Sequence, residues 1–314
     1  MNSTEKQPAS RYTIKIGDAI NLALEKAENN QAPTCGIPSG LPCLDRLTRG
    51  WKAGELIVIG SRPAVGKTAL ALTLARNAAV EFDVATAYFS LEMPTTELTN
   101  RLIASESGIQ INKLQGMDRI DEQDWQQVES SLSRLSKAPL YIDDTPGMVI
   151  SELRARVKDL ALNHGVKLFI VDYFQLLLPD DGDSDLPISR EREEELRLIK
   201  EMALEFRVAV IALSQVRKPT RKGFAAPVYA ELETYCPFAD EYADKIILLH
   251  RPGLYGLHSD GHRDGIETIQ LSVVKNNSGS TAVLVYQFDR DRIRVTNPDD
   301  EWGTTINDGL RGGK

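Results

Sequence analysis

Phosphate chemistry calls for a lysine, a hydroxyl and small residues where a loop enters a helix. The run Ser61-Arg62-Pro63-Ala64-Val65-Gly66-Lys67-Thr68 supplies all three, directly after the apolar ELIVIG and before the helix-like ALALTLAR. Such a loop turns backbone N–H groups and the positive end of the helix towards phosphate oxygens. Lys67 can then reach the β- and γ-phosphates of a nucleotide, and the Thr68 hydroxyl can ligate Mg²⁺. The strict motif has glycine where Ser61 stands, and Gly60 comes one residue too early.

Three further residues sit where strands should end. Asp172 closes LFIVD, where a carboxylate can hold Mg²⁺ through its water shell from a second strand. Glu92 closes YFSLE and is the best candidate to orient and deprotonate an attacking water, the alternative being a helix-cap carboxylate before Pro94. Gln215 follows VIALS, and its amide can donate and accept hydrogen bonds at a γ-phosphate. Just beyond it Arg217, Lys218, Arg221 and Lys222 form a basic cluster, able to neutralise a few phosphates of single-stranded DNA or to sit in solvent.

The elements that must position these groups alternate. ELIVIG, VATAYFSLE, LYIDD, KLFIVDYFQLL and VAVIALSQ read as strands. ALALTLARNAAVEF, PTTELTNRLIASESG, SELRARVKDLALNHG and REEELRLIKEMALEF read as the helices between them. This pattern predicts an α/β fold with a mostly parallel sheet covered on both faces, binding ligands at the carboxyl ends of its strands. KIILLHR, IETIQLSVVK and AVLVYQFDRDRIRV predict a C-terminal antiparallel extension. Residues 1–35 read as a polar leader, a short amphipathic helix over Ile16 to Lys26 and a linker. Residues 36–296 read as the main domain and 297–314 as a disordered tail.

The 314 residues are 42% hydrophobic, enough for one large core. A net charge of -8 argues against a surface coated for duplex DNA but leaves room for a narrow basic channel. Cys35, Cys43 and Cys236 are scattered and odd in number, which favours a reducing, cytoplasmic setting over disulfides. No apolar stretch approaches a membrane span.

In order, GIPSGLPCLDRLTRGWKAGELIVIGSRPAVGKTALAL, AYFSLEM, LYIDDTPG, FIVDYFQLL, VIALSQVRK and EYADKIILLHR resemble the C-terminal RecA-like motor domain of the DnaB family of replicative helicases. The resemblance runs from about Gly36 to Val295 and removes the objection at Ser61, since that family does not require glycine there. It implies an ATP- and Mg²⁺-dependent hexamer with nucleotide between subunits and single-stranded DNA through the centre. Lys67 and Thr68 would bind nucleotide and metal, Glu92 would be the catalytic carboxylate, Asp172 the metal-side acid and Gln215 the γ-phosphate sensor. Arg251 falls at the family's nucleotide-proximal basic position, or else is a strand-end arginine facing solvent.

The resemblance also implies a lysine and, two residues later, an arginine given to the neighbouring subunit's site. Lys275 matches, but Asn277 stands where the arginine is expected. Asparagine cannot supply that positive charge, so either hydrolysis is slow, Arg290 or Arg292 substitutes, or the chain has specialised away from autonomous unwinding. YAELETYCPFADEYAD departs from the family's Arg-bearing acidic segment, and the residues before Gly36 hold no helical collar. A helicase loader or replication protein is an expected partner, although loaders that use the collar are not assumed. Two rival expectations remain: a regulatory ATPase that remodels a protein partner, and a weakly hydrolysing DNA-binding clamp.

Overall fold

Runs rich in Ile, Val and Leu without helical spacing form the middle of the molecule as strands. A computed structural model of the chain describes residues 15–17, 20–21, 36–180, 188–216, 232, 236, 238–255, 265–297 and 305–306. From residue 36 the elements are α1 (Pro42–Thr48), β1 (Leu56–Ser61), α2 (Lys67–Arg76), β2 (Thr86–Ser90), α3 (Thr95–Ser107), α4 (Ile111–Leu114) and α5 (Glu122–Leu135). They continue with β3 (Leu140–Asp143), α6 (Ile150–Asn163), β4 (Leu168–Asp172), α7 (Ile188–Phe206), β5 (Ala209–Gln215), α8 (Ala239–Tyr242) and β6 (Lys245–His250). The last strands are β7 (Ile266–Asn276), β8 (Ala282–Asp289), β9 (Arg294–Thr296) and β10 (Thr305–Ile306).

The strands join in one 10-stranded sheet of order β10-β8-β7-β6-β1-β5-β4-β2-β3, with β9 paired to β8. From β3 to β6 the pairings are parallel, and β7 to β10 extend the sheet antiparallel. The fold is therefore the expected RecA-like P-loop NTPase fold. Successive side chains point to opposite faces, so each central strand feeds two cores. Ile57, Ile59, Tyr88, Ile170 and Ile211 pack with Leu70 and Leu74 of α2. Leu56, Val58, Phe89, Phe169 and Val210 pack with Leu153 of α6 and Leu196 and Ile199 of α7. Burial on both faces is why these strands are continuously apolar.

Parallel alignment brings the carboxyl ends of the central strands level. Ser61 pairs with Gln215 and with Leu249, and Ser90 pairs with Asp172. The opposite rim is fastened by Asp244, whose carboxylate accepts hydrogen bonds from Leu56 N (2.8 Å) and Lys200 Nζ (2.6 Å). Beside it the fully buried Lys245 ammonium is neutralised by Glu55.

Helix α5 has no counterpart among the helices expected from apolar spacing. Asp121 caps it by accepting from Asp124 N (2.8 Å), while Asp124 accepts in return from Asp121 N (2.9 Å). The basic cluster Arg217, Lys218, Arg221 and Lys222 lies outside the described residues, as does most of 1–35. Of the leader helix, residues 16, 17, 20 and 21 are described and helical. In the tail, Thr305 and Ile306 pair with Leu284 and Val283 of β8. Cys43 and Cys236 are buried and not joined in a disulfide, and no helix among the described residues is long and apolar enough to cross a membrane.

Glu195 of α7 is turned inward, its carboxylate accepting from Arg192 Nη1 at 2.6 and 2.7 Å. Burial pushes this carboxyl up to about 7. Between the ordinary carboxyl range and that value the folded chain keeps a proton that the unfolded chain releases, so this group makes stability fall as pH rises through the window. Urea denaturation at about pH 5 and about pH 7.5 should show a smaller pH-dependent loss for Glu195→Gln than for the parent. Equal losses in the two proteins would contradict the inward assignment of Glu195.

Candidate active site

The site is built where β1 ends and α2 begins. Val65 is buried and pins the loop to the core, while Ala64 (φ 63°) and Gly66 (φ 111°) take left-handed backbone to turn the chain into the helix. The turn is thus made at 64 and 66, and Ser61 can remain the last residue of β1. Gly60 is a packing glycine of that strand, since a Cβ there would come within 3.0 Å of Leu232 and Leu248 side-chain carbons. Gly66 caps α2 without a side-chain hydrogen bond, so the first-turn amides of the helix face the cleft unshielded by a capping oxygen.

A cavity of about 340 Å³ opens over this turn. Ser61, Arg62, Pro63, Ala64, Gly66, Lys67 and Thr68 line it together with Glu92, Gln215 and Arg251. Arg101, Phe288, Arg290 and Ile293 complete its wall. Among the described lining residues five side chains are cationic and one is a carboxylate, in a chain whose net charge is -8. An excess of positive charge in an acidic protein fits a polyanionic ligand.

Asp172 lies behind Thr68 and Lys67. Its Oδ2 accepts from the Thr68 hydroxyl (2.8 Å) and the Tyr88 hydroxyl (2.7 Å), and its Oδ1 stands 3.8 Å from Lys67 Nζ. Lys67 Nζ and Asp172 Oδ1 are buried without a hydrogen-bond partner. Buried polar atoms are ordinarily satisfied, and a phosphate oxygen and a hydrated cation would satisfy this pair. A hydroxyl and a carboxylate are also the oxygen donors that Mg²⁺ takes. Burial lowers the Lys67 pKa, opposed by the Asp172 and Glu92 carboxylates, and the ammonium rests 4.4 Å from the Tyr173 ring centroid. Tyr88 is buried next to Asp172, and burial followed by that negative charge pushes its pKa well up; it acts as a fixed donor.

Glu92 follows β2 on the cavity rim. The first amide of α3, Thr95 N, donates to Asp144 Oδ2 (2.6 Å), so the capping role belongs to Asp144 and not to Glu92. Gln215 is held by Gln175, whose Oε1 accepts from Gln215 N (3.2 Å) and whose Nε2 donates to Ser214 Oγ (2.7 Å). Arg251 does not face solvent: it is 7% exposed, lies over the Phe288 ring and pairs with Glu267 at 3.2 Å.

Lys275 and Asn277 are on the opposite rim. Lys275 pairs with Ile246 at the start of β6, and its ammonium donates to the Asp240 carbonyl. Asn277 Nδ2 donates to Asp244 Oδ1 at 3.3 Å. Neither lines the cavity of its own chain. Arg101, Tyr88, Gln175 and Phe288 also line or support the site, although no motif in the sequence marks them. Tyr88 was recoverable, because it shares a face of β2 with Ser90, the residue in register with Asp172.

The sequence model of the DnaB-like helicase C terminal domain matches residues 36–297. The chain belongs to this family. The replicative DNA helicase DnaB of Leifsonia xyli subsp. xyli is 34% identical over 279 residues, which cover 88% of this chain and 59% of that protein. Replicative DNA helicase DnaC of Bacillus subtilis is 32% identical over 275 residues, covering 87% and 59%. The chain thus spans less than two thirds of the length of either relative. Among solved structures, the ATPase domain of G40P matches with a TM-score of 0.82 at 27% identity, covering 91% of this chain and 99% of that one. A DnaB-like replicative helicase matches with a TM-score of 0.79 at 26% identity, covering 91% and 68%.

Tyr88→Phe removes one of the two hydroxyls that hold the Asp172 carboxylate. Loss of a buried hydrogen bond to a charged group costs about 1.5–3 kcal/mol, which urea denaturation should register as a lower midpoint at unchanged slope. A parental midpoint would mean that Asp172 is not held as described.

Proposed function

We propose that this chain is the ATP-hydrolysing motor of a DnaB-type DNA helicase that works as a ring of six copies on single-stranded DNA. The observation that carries the reading is the buried, unpartnered pair of Lys67 Nζ and Asp172 Oδ1 inside a cationic cavity that Glu92 and Gln215 also line. Nucleotide binding follows from Ser61 to Thr68: the amides at the start of α2 meet phosphate oxygens and Lys67 adds a point charge. Mg²⁺, held through Thr68 and the side of Asp172, would neutralise charge on the triphosphate. Glu92 is the general base: it lies on the open rim, where it orients a water and takes its proton. Arg251 adds positive charge to the outer wall.

Gln215 connects the site to DNA. It ends β5, and Val216 N donates to Ser61 O (2.8 Å), so the chain leaves β5 beside the start of the phosphate loop, and the segment bearing Arg217, Lys218, Arg221 and Lys222 follows in sequence. An amide that feels the γ-phosphate at 215 would in this reading shift the cations that follow it in the chain against the DNA backbone. In a ring, Lys275 acts in trans: on the rim away from its own cavity it can reach only a neighbour's nucleotide. The neutral Asn277 favours one alternative, a weakly hydrolysing DNA-binding clamp, because the charge an arginine supplies to phosphoryl transfer is missing there.

Phosphate release measured with and without single-stranded DNA tests the reading. DNA should stimulate the parent, Lys67→Ala should lose hydrolysis, and Glu92→Gln should keep nucleotide binding while turning over roughly a hundredfold more slowly. Parental turnover by Glu92→Gln would reassign the base, and turnover indifferent to DNA would remove the helicase reading.

The interfacial role of Lys275 is checked by mixing. Lys67→Ala and Lys275→Ala proteins should each be nearly inactive, yet mixed rings should regain activity at interfaces that join an intact Lys67 to an intact Lys275. Wild-type turnover by monomeric Lys275→Ala protein would sink the assignment.

A further inference from the structure

The turn between β8 and β9 roofs the cavity, and its two arginines are used differently. Asp289 Oδ1 accepts from Asp291 N (3.1 Å) and Arg292 N (3.0 Å), which fixes the turn. Asp291 O accepts from Ile111 N at 2.8 Å, fastening it to α4. Arg292 is consumed by this scaffold: its Nε donates to the Gly108 carbonyl (2.6 Å) and its Nη1 to Asp289 Oδ2 (2.9 Å). Arg292 is absent from the cavity wall, whereas Arg290 is part of it.

The three other arginines of the wall are committed more closely, while Lys67 is enclosed 3.8 Å from Asp172. Arg101 donates to Glu97 at 2.7 Å, Arg251 is buried against Glu267 and Phe288, and Arg62 lies on the Tyr255 ring. Among the described residues Arg290 has only long ion pairs, 3.7 Å to Glu267 and 3.9 Å to Asp291, and its side chain is 61% exposed. Both carboxylates lie beyond hydrogen-bonding distance, so they offset part of the positive charge but leave the N–H fork of the guanidinium open to a ligand. Its backbone is nonetheless fixed: Arg290 N donates to Gly265 O at 2.9 Å. A pre-placed arginine with an open fork suits a phosphate better than a lysine would.

We infer that Arg290 contacts the phosphates of the nucleotide bound to its own subunit, as a cation supplied in cis beside Lys67. This inference rests on the nucleotide-motor reading and adds a residue to it. It predicts the opposite mixing behaviour from Lys275. Lys67 and Arg290 must then come from one chain, so combining Lys67→Ala with Arg290→Gln subunits creates no site with both groups.

The test measures fluorescent-nucleotide affinity and phosphate release for the parent, Arg290→Gln and Arg290→Lys, with ring assembly checked by sizing. Arg290→Gln should lower kcat/KM roughly tenfold or more, and Arg290→Lys should recover part of the loss. Mixtures of Arg290→Gln with Lys67→Ala should show no more activity than the two proteins assayed apart. Parental kcat/KM and nucleotide affinity in an assembled Arg290→Gln ring would overturn the inference, and activity regained on mixing would overturn the same-subunit assignment. If the parent itself does not hydrolyse ATP, the motor reading falls, and unchanged nucleotide affinity in Arg290→Gln would still overturn this inference separately.

Discussion

A single carboxylate organises the site. Asp172 ends β4, accepts hydrogen bonds from the Thr68 and Tyr88 hydroxyls on one oxygen, and turns the other towards the Lys67 ammonium at 3.8 Å. Leaving two opposite charges buried and imperfectly paired is costly, and the fold bears that cost by over-determining their positions. Ser90 is locked in register with Asp172, Leu91 N donates to the Asp172 carbonyl (2.8 Å), and Tyr88 is sealed in the core beneath. Lys67 Nζ and Asp172 Oδ1 keep hydrogen-bonding capacity that a ligand carrying both phosphate and metal would satisfy.

The sheet gives the molecule two working rims. At the carboxyl ends of β1, β2, β4 and β5 lie the phosphate loop, Glu92, Asp172 and Gln215. At the other rim Asp244 ties together the start of β1, α7 and Asn277, while Lys275 stands beside Asp240. A ring of such subunits can set one rim against the other, which is how one chain could both hold a nucleotide and act on its neighbour's. The antiparallel strands serve both rims: β7 ends at Lys275 and Asn276, and β8 leads into the turn that carries Arg290 over the cavity.

Most of the parallel sheet was legible in the sequence because strands buried on both faces must be continuously apolar, as LIVIGS and LFIVD are. The phosphate loop, Glu92 and Gln215 were legible because each follows such a run. Helix α5 is the exception: Trp125, Val128, Leu132 and Leu135 stand at helical spacing, but in so polar a run that the stripe is narrow and easily passed over. The reach of Gln175 to Gln215, of Arg101 to the cavity and of Asp144 to α3 depends on contacts between distant segments, which no local spacing encodes. The burial of Arg251 is a similar case: a strand-end arginine becomes a wall residue only once Phe288 and Glu267 arrive from β8 and β7.

In the proposed motor Lys67 and Asp172 are positioned together for a metal-bound nucleoside triphosphate. Calorimetric titration of ATP into the parent and into Asp172→Asn, each with Mg²⁺ and with a chelator, addresses this directly. The parent should bind ATP more tightly with Mg²⁺ than with chelator, and Asp172→Asn should lose most of that difference. Absence of ATP binding by the parent, or the same Mg²⁺ dependence in both proteins, would contradict the account.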